Sequence, residues 1–155
     1  MRRAVPLLAL LALPRCSPTT ADGFPEVTGT YVGILRVEFT EPATGTTTGQ
    51  CPETLVITSQ SGATVSGGFE RGAPCAASAG PVRGTLDQGG GVVLDFEDTQ
   101  GFQGFSGCTY VSGDRSWRGT LRDDELDIAL SAVLSCTGFS VPLQTSATLT
   151  AVRRD

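Results

Sequence analysis

The sequence predicts an all-β fold, an eight-stranded antiparallel up-and-down barrel, and three observations predict it. Apolar and polar residues alternate with a period of two over most of the chain. Turn-forming residues interrupt that alternation roughly every ten positions. After the first ~20 residues no stretch carries the 3.6-residue period of an amphipathic helix.

The expected strands are residues 28–40, 54–60, 63–71, 82–87, 92–97, 108–122, 125–134 and 144–153. Alternation in the first places Tyr31, Leu35, Val37 and Phe39 on one face. The second and third turn at Ser61-Gly62 and direct Leu55, Ile57, Val65 and Phe69 inward. The fourth and fifth turn at Gln88-Gly89-Gly90 and contribute Val82, Leu86, Val92, Leu94 and Phe96. Across Asp123-Asp124 the sixth and seventh add Trp117, Leu121, Leu126, Ile128, Leu130 and Leu134, and the last adds Ala147 and Leu149. Gly and Asp suit these turns because they tolerate the positive φ of tight hairpins. The opposite faces carry Arg83, Asp95, Glu97, Arg118, Arg122 and Asp127, as a solvated surface should.

A repeated pattern argues for closure. Apolar-x-Gly-x-apolar recurs around Gly33, Gly67, Gly84 and Gly119, and alternation puts each glycine on the inward face. Mid-strand glycine weakens a strand unless the strand must bend or coil sharply, as where a small sheet rolls up. Closure also removes exposed edges. The alternative is a two-sheet β-sandwich with the glycines at bulges. A barrel of this size is either filled by side chains or holds one small ligand. The many inward aliphatic residues favour filling, while the inward glycines leave room.

Arg2 and Arg3 precede an apolar run over residues 4–13, too short to span a bilayer, which reads as a secretory signal peptide. Thr19-Thr20-Ala21 offers small residues for cleavage, giving a leader of residues 1–21 and a single domain of residues 22–155. Cys16 offers the alternative, a lipid-accepting cysteine of bacterial lipoprotein type, with Pro14 and Arg15 where that signal has small residues. Either route places the domain outside the cytoplasm, in the periplasm, in the cell envelope or secreted. A lipid at Cys16 would be its one contact with a membrane.

Removing the leader takes three of the eleven arginines and none of the sixteen acidic residues, leaving a formal charge of about −8. Such a domain is repelled by phosphate backbones, so nucleic acid is not an expected partner. The chain has no His, no Lys and no Asn. Catalytic pairs built on His, Schiff bases and Walker-type phosphate loops are therefore excluded. No cofactor is expected, and no catalytic residue is assigned.

Cys51, Cys75, Cys108 and Cys136 form an even set at wide spacing, which in an exported chain reads as two disulfides and not as a metal site. Sequence alone does not choose among the three connectivities, but hairpin geometry suggests Cys51 with Cys75 and Cys108 with Cys136, since each pair flanks a turn nearly symmetrically. Each closed loop would stabilise the fold by roughly 3 to 4 kcal/mol.

Two clusters are candidate sites. Asp95, Glu97 and Asp98 could serve acid-base work or bind Ca²⁺, against the simpler reading of an exposed strand end. Residues 99–113 form a Gly-rich segment carrying Phe102, Phe105 and Tyr110, and loops on rigid scaffolds commonly recognise ligands. The alternative is that Phe102 and Phe105 plug one barrel end.

The eight-stranded meander, with the Gly29-Thr30-Tyr31 step opening its first strand, resembles the lipocalin and avidin type of barrel, where that step usually carries Trp. The resemblance implies a barrel that binds a small apolar molecule, or an extracytoplasmic inhibitor or envelope protein. Tyr31, Trp117, Phe102 and Phe105 are the tentative ligand-binding residues. The rival class is a filled barrel working through its surface on a protein partner.

Overall fold

The strict alternation read from the sequence is realised in the long strands, where buried and exposed positions succeed one another with hardly a break in the last two. The fold is that of a computed structural model, which describes residues 18–98 and 101–154. The apolar run at residues 4–13 and Cys16 lie outside the described residues.

The strands are β1 (Gly29–Glu41), β2 (Gly45–Ser61), β3 (Thr64–Arg71), β4 (Ser78–Leu86), β5 (Gly91–Phe96), β6 (Gly101–Phe102), β7 (Phe105–Ser106), β8 (Cys108–Gly113), β9 (Trp117–Arg122), β10 (Glu125–Cys136) and β11 (Leu143–Arg153). They pair antiparallel in the order β1-β2-β3-β4-β5-β9-β10-β11, and β11 returns to β1 from Tyr31↔Arg153 to Thr40↔Gln144. The sheet therefore closes into an eight-stranded barrel, and the sandwich alternative falls. β8 and β9 occupy one lane, the first opposite Ala132–Cys136 of β10 and the second opposite Glu125–Ala129.

That lane is the expected strand 108–122, broken in the middle. Gly113 adopts φ +100°, and Asp114 bonds Ser131 twice, its amide donating to the Ser131 oxygen (2.8 Å) and its carboxylate accepting from the Ser131 amide (3.0 Å). A side chain that satisfies the neighbouring strand in this way replaces the regular ladder locally. The structure also extends β2 back to Gly45 and β4 back to Ser78, and it forms a two-residue hairpin from β6 and β7 inside the Gly-rich segment. The anticipated turns form with positive φ at Gly62, Gly90, Asp123 and Asp124.

Every anticipated inward residue is buried except Phe39, which is half-buried and packs on the core from its rim. Val27, Phe105, Ala132, Leu143 and Ala151 join that core. The barrel is filled: Trp117, Tyr31 and Phe96 are its largest fully buried side chains, and Phe96 packs against Phe69 and Trp117 with ring centroids 5.0 and 5.5 Å apart.

The inward glycines do not leave room. At Gly67 a Cβ would stand 1.8 Å from the Val56 carbonyl oxygen, and at Gly119 2.0 Å from that of Asp127. Gly33 and Gly84 are overlain by neighbouring backbone in the same manner. The space of each missing side chain is taken by the next strand, which folds across it.

One end of the barrel is closed by residues 18–28. Val27 is buried, the Tyr31 hydroxyl donates to the Val27 oxygen (3.0 Å), and the Gln60 amide donates to the Pro25 oxygen (2.8 Å) while accepting from the Val27 amide (3.0 Å). Both disulfides, Cys51–Cys75 and Cys108–Cys136, are formed as expected and lie toward the opposite end.

Alanine substitutions separate the two kinds of glycine. Gly67→Ala and Gly119→Ala are expected to lower unfolding free energy by about 1–3 kcal/mol or more through overpacking. Gly49→Ala, whose Cβ would meet nothing within 4 Å, is expected to gain about 0.4–1 kcal/mol. Urea unfolding of the three variants reads the contrast.

Candidate functional site

The end opposite residues 18–28 is where the chain departs from plain barrel design. Between Phe96 and Cys108 it folds back as the β6–β7 hairpin, whose turn residues Gln103 and Gly104 have φ +50° and +81°. The Gln103 side chain is buried and anchors the turn. Its oxygen accepts from the Phe96 amide (2.8 Å), and its nitrogen donates to Asp95 Oδ1 (2.9 Å) and the Arg115 oxygen (2.6 Å). The turn thereby presses Phe105 into the barrel, where its ring stacks on Trp117 at 6.2 Å and meets Phe39 edge-on at 6.1 Å.

Beneath this hairpin lies a buried ion pair. Arg71 and Glu53 stand directly opposite each other on β3 and β2, and both point inward, 5 % and 2 % exposed. Arg71 Nε donates to Glu53 Oε2 (2.7 Å), Nη1 donates to the Gly104 oxygen (2.6 Å), and the guanidinium carbon lies 5.4 Å from the centre of the Phe105 ring. Arg71 Nη2 and Glu53 Oε1 are buried without a hydrogen-bond partner. Burial pushes the Glu53 carboxyl above its ordinary value of 4.5, against the opposing hydrogen bond and charge of Arg71.

Next to Arg71 the packing leaves a recess of about 240 Å³. Its walls include Leu35, Val37, Phe39 and Phe105, together with Cys51 and Cys75 of one disulfide. Gly49, opposite Val37 on the inward face, borders its open space, and exposed Ala76 stands at its mouth. Among the described residues, the arrangement is an apolar pocket with one cationic group, Arg71, in its wall.

The four tentative ligand-binding residues are not brought together. Phe105 lines this recess, whereas Tyr31 is at the opposite end beside Val27, bordering a smaller cleft of about 170 Å³. Trp117 is fully buried between Phe96 and Phe105, and its indole nitrogen donates to the Gln103 oxygen (3.4 Å). Phe102 is half-buried and packs against Tyr110 with tilted rings 5.0 Å apart, with the Arg115 guanidinium 4.3 Å from the Tyr110 ring centre. Of the two phenylalanines, Phe105 serves as the plug.

The acidic cluster is spent on structure. Asp95 holds Gln103, Asp98 accepts from Ser78 (2.9 Å) and Ser106 (2.8 Å), and Glu97 pairs with exposed Arg83 (3.3 Å). Among the described residues no three metal-capable side chains gather.

Arg71 and Glu53 were missed by sequence reasoning, although a signal existed. Extending the alternation Val65, Gly67, Phe69 by one step reaches Arg71, and stepping back from Ile57 and Leu55 reaches Glu53. No protein-family model matches the chain, and comparison with curated proteins and with solved structures found no match.

Two outcomes test this description. Gln103→Ala strands the buried Phe96 amide and is expected to cost about 1–3 kcal/mol in denaturant unfolding. A raised carboxyl pKa in the fold means that Glu53 contributes stability below its ordinary value of 4.5 and loses it as pH rises through the raised value. The melting temperature of the wild type relative to Glu53→Gln is therefore expected to fall as pH rises above 4.5, and a flat difference would refute the assignment.

Proposed function

We propose that the protein is an exported binder of a small apolar ligand, seated in the recess beside Arg71. One observation carries this reading: the barrel interior is packed throughout, yet an apolar space of about 240 Å³ remains under the β6–β7 hairpin, with an exposed residue at its mouth. An apolar cavity of about 150 Å³ is enough to hold benzene, so this volume suits a molecule of about ten non-hydrogen atoms. The resemblance to lipocalin and avidin barrels supports the same class of function.

Export is supported by the leader pattern at residues 2–13 and by the two disulfides, which persist in oxidising compartments. In this reading the domain works outside the cytoplasm, either lipid-anchored at Cys16 or soluble after cleavage. No catalytic role is assigned.

The rival reading is a barrel that acts through its surface, as an envelope protein or an inhibitor. It is favoured by exposed Val32, Ile34 and Val152 on the outer faces of β1 and β11, with Val32 directly opposite Val152.

Native mass spectrometry of the protein purified from its source distinguishes the two. The ligand reading expects a co-purifying mass of about 150 Da, matching ten or so non-hydrogen atoms, lost in Gly49→Leu. A bare mass together with a bound protein would overturn it.

A further inference from the structure

The two disulfides are built into the barrel in different ways. Cys108 and Cys136 face each other across the β8–β10 ladder and are both buried. The pairing continues past them, where the Thr137 amide and hydroxyl donate to the Gly107 oxygen (2.9 and 3.1 Å). That disulfide joins strands that hydrogen bonds already hold.

Cys51–Cys75 instead joins a strand to a loop. Cys51 is 1 % exposed on the inward face of β2, whereas Cys75 is half-buried in residues 72–77, between β3 and β4 and beyond the end pair Glu53↔Arg71 of the β2–β3 ladder. The Gly72 amide still donates to the Pro52 oxygen (3.2 Å), but past it residues 73–77 make no hydrogen bond among the described residues. Cys75 is the one residue of that stretch packed on the core, while Ala73, Pro74, Ala76 and Ala77 are exposed. The disulfide is therefore what holds this stretch against the barrel end.

We propose that Cys51–Cys75 is a reversible thiol-exchange site, opened in the folded protein by an external dithiol that attacks Cys75 Sγ, and that its opening releases residues 73–77 from the barrel end. This release does not require a ligand in the recess.

The exchange proceeds in two displacements. A thiolate of the dithiol bonds to Cys75 Sγ, the bond to Cys51 breaks, and Cys51 leaves as a thiolate that takes up a proton. The second thiol of the reductant gives up its proton and attacks its own partner sulfur, and Cys75 leaves as a thiolate. The dithiol ends as a disulfide and the protein as a dithiol. Exchange depends on access and on which sulfur is attacked, and exposed disulfides are the labile ones. Access here selects Cys75 over Cys51 and this disulfide over Cys108–Cys136.

Opening the bond leaves the barrel intact. The β2–β3 ladder still runs from Glu53↔Arg71 to Ser61↔Thr64, and Ser78 stays paired with Arg71 while its hydroxyl donates to Asp98 (2.9 Å). Gly72 and Ser78 are thus fixed feet for a local opening.

The test treats the full oxidised protein with graded dithiothreitol under native conditions, quenches in acid, alkylates with N-ethylmaleimide after unfolding and maps the cysteines by mass spectrometry. Cys51 and Cys75 are expected to be reduced at least about tenfold faster than Cys108 and Cys136, with far-UV circular dichroism unchanged. Brief treatment with excess glutathione is expected to leave the adduct on Cys75. In the selectively reduced protein the NMR order parameters of the Ala73, Cys75, Ala76 and Ala77 amides are expected to fall from about 0.85 to below about 0.6, while those of β2 and β3 hold.

Reduction of Cys108–Cys136 first or at an equal rate, or failure of Cys51–Cys75 to open before the barrel unfolds, overturns the exchange site. A glutathione adduct on Cys51 overturns the assignment of Cys75 as the attacked sulfur. Order parameters at residues 73–77 that stay near about 0.85 after reduction overturn the release. None of these results bears on whether a small molecule occupies the recess of the oxidised protein.

Discussion

Closing eight strands around a narrow core forces neighbouring backbones to cross at points where an ordinary side chain would collide with them. Gly33, Gly67, Gly84 and Gly119 are those points, each with a carbonyl oxygen of the next strand where its Cβ would be. The rest of the molecule depends on that closeness. With backbone lying over the inner face, the middle of the barrel is small enough for Tyr31, Phe96, Trp117 and the inward leucines to fill it. Space for anything else is displaced to the ends. One end is sealed by residues 18–28, and the other is only partly filled by Phe105.

The partly filled end is held by an interaction that is costly by itself. Taking a carboxylate and a guanidinium out of water is repaid only when geometry and additional hydrogen bonds are good. Here the repayment comes from the Gly104 oxygen and the face of Phe105, both supplied by the hairpin that Gln103 anchors. The ion pair and the hairpin therefore depend on each other. Repayment is incomplete, since one nitrogen of Arg71 and one oxygen of Glu53 stay unmatched.

Much of the barrel was legible because its grammar is local. Period-two alternation fixes which residue of a strand points inward, and turn residues fix the hairpins, so the facing of Leu126, Ile128 and Leu130 and the turn at Asp123-Asp124 could be read directly. The disulfide pairing followed from the same hairpins. The glycines signalled closure correctly, but their effect on volume was opposite to expectation, because what fills a glycine's place is a neighbouring strand that sequence does not locate. The site was hidden for a different reason. Arg71 and Glu53 sit on the inward phase, but charge outweighed periodicity in reading them, and only the cross-strand register makes them partners. Tyr31 and Trp117 illustrate the converse: large aromatics attract attention as ligand contacts, while here they are core.

The same architecture fixes the direction in which the recess looks. Pro18 lies beside Gln88 and Asp124, and Arg154 donates its amide to the Thr30 oxygen, so the first and last described residues both lie at the pole opposite Arg71. A tether joined at residue 18 or residue 154 would therefore hold the barrel by its back, leaving the mouth at Ala76 turned outward toward the medium.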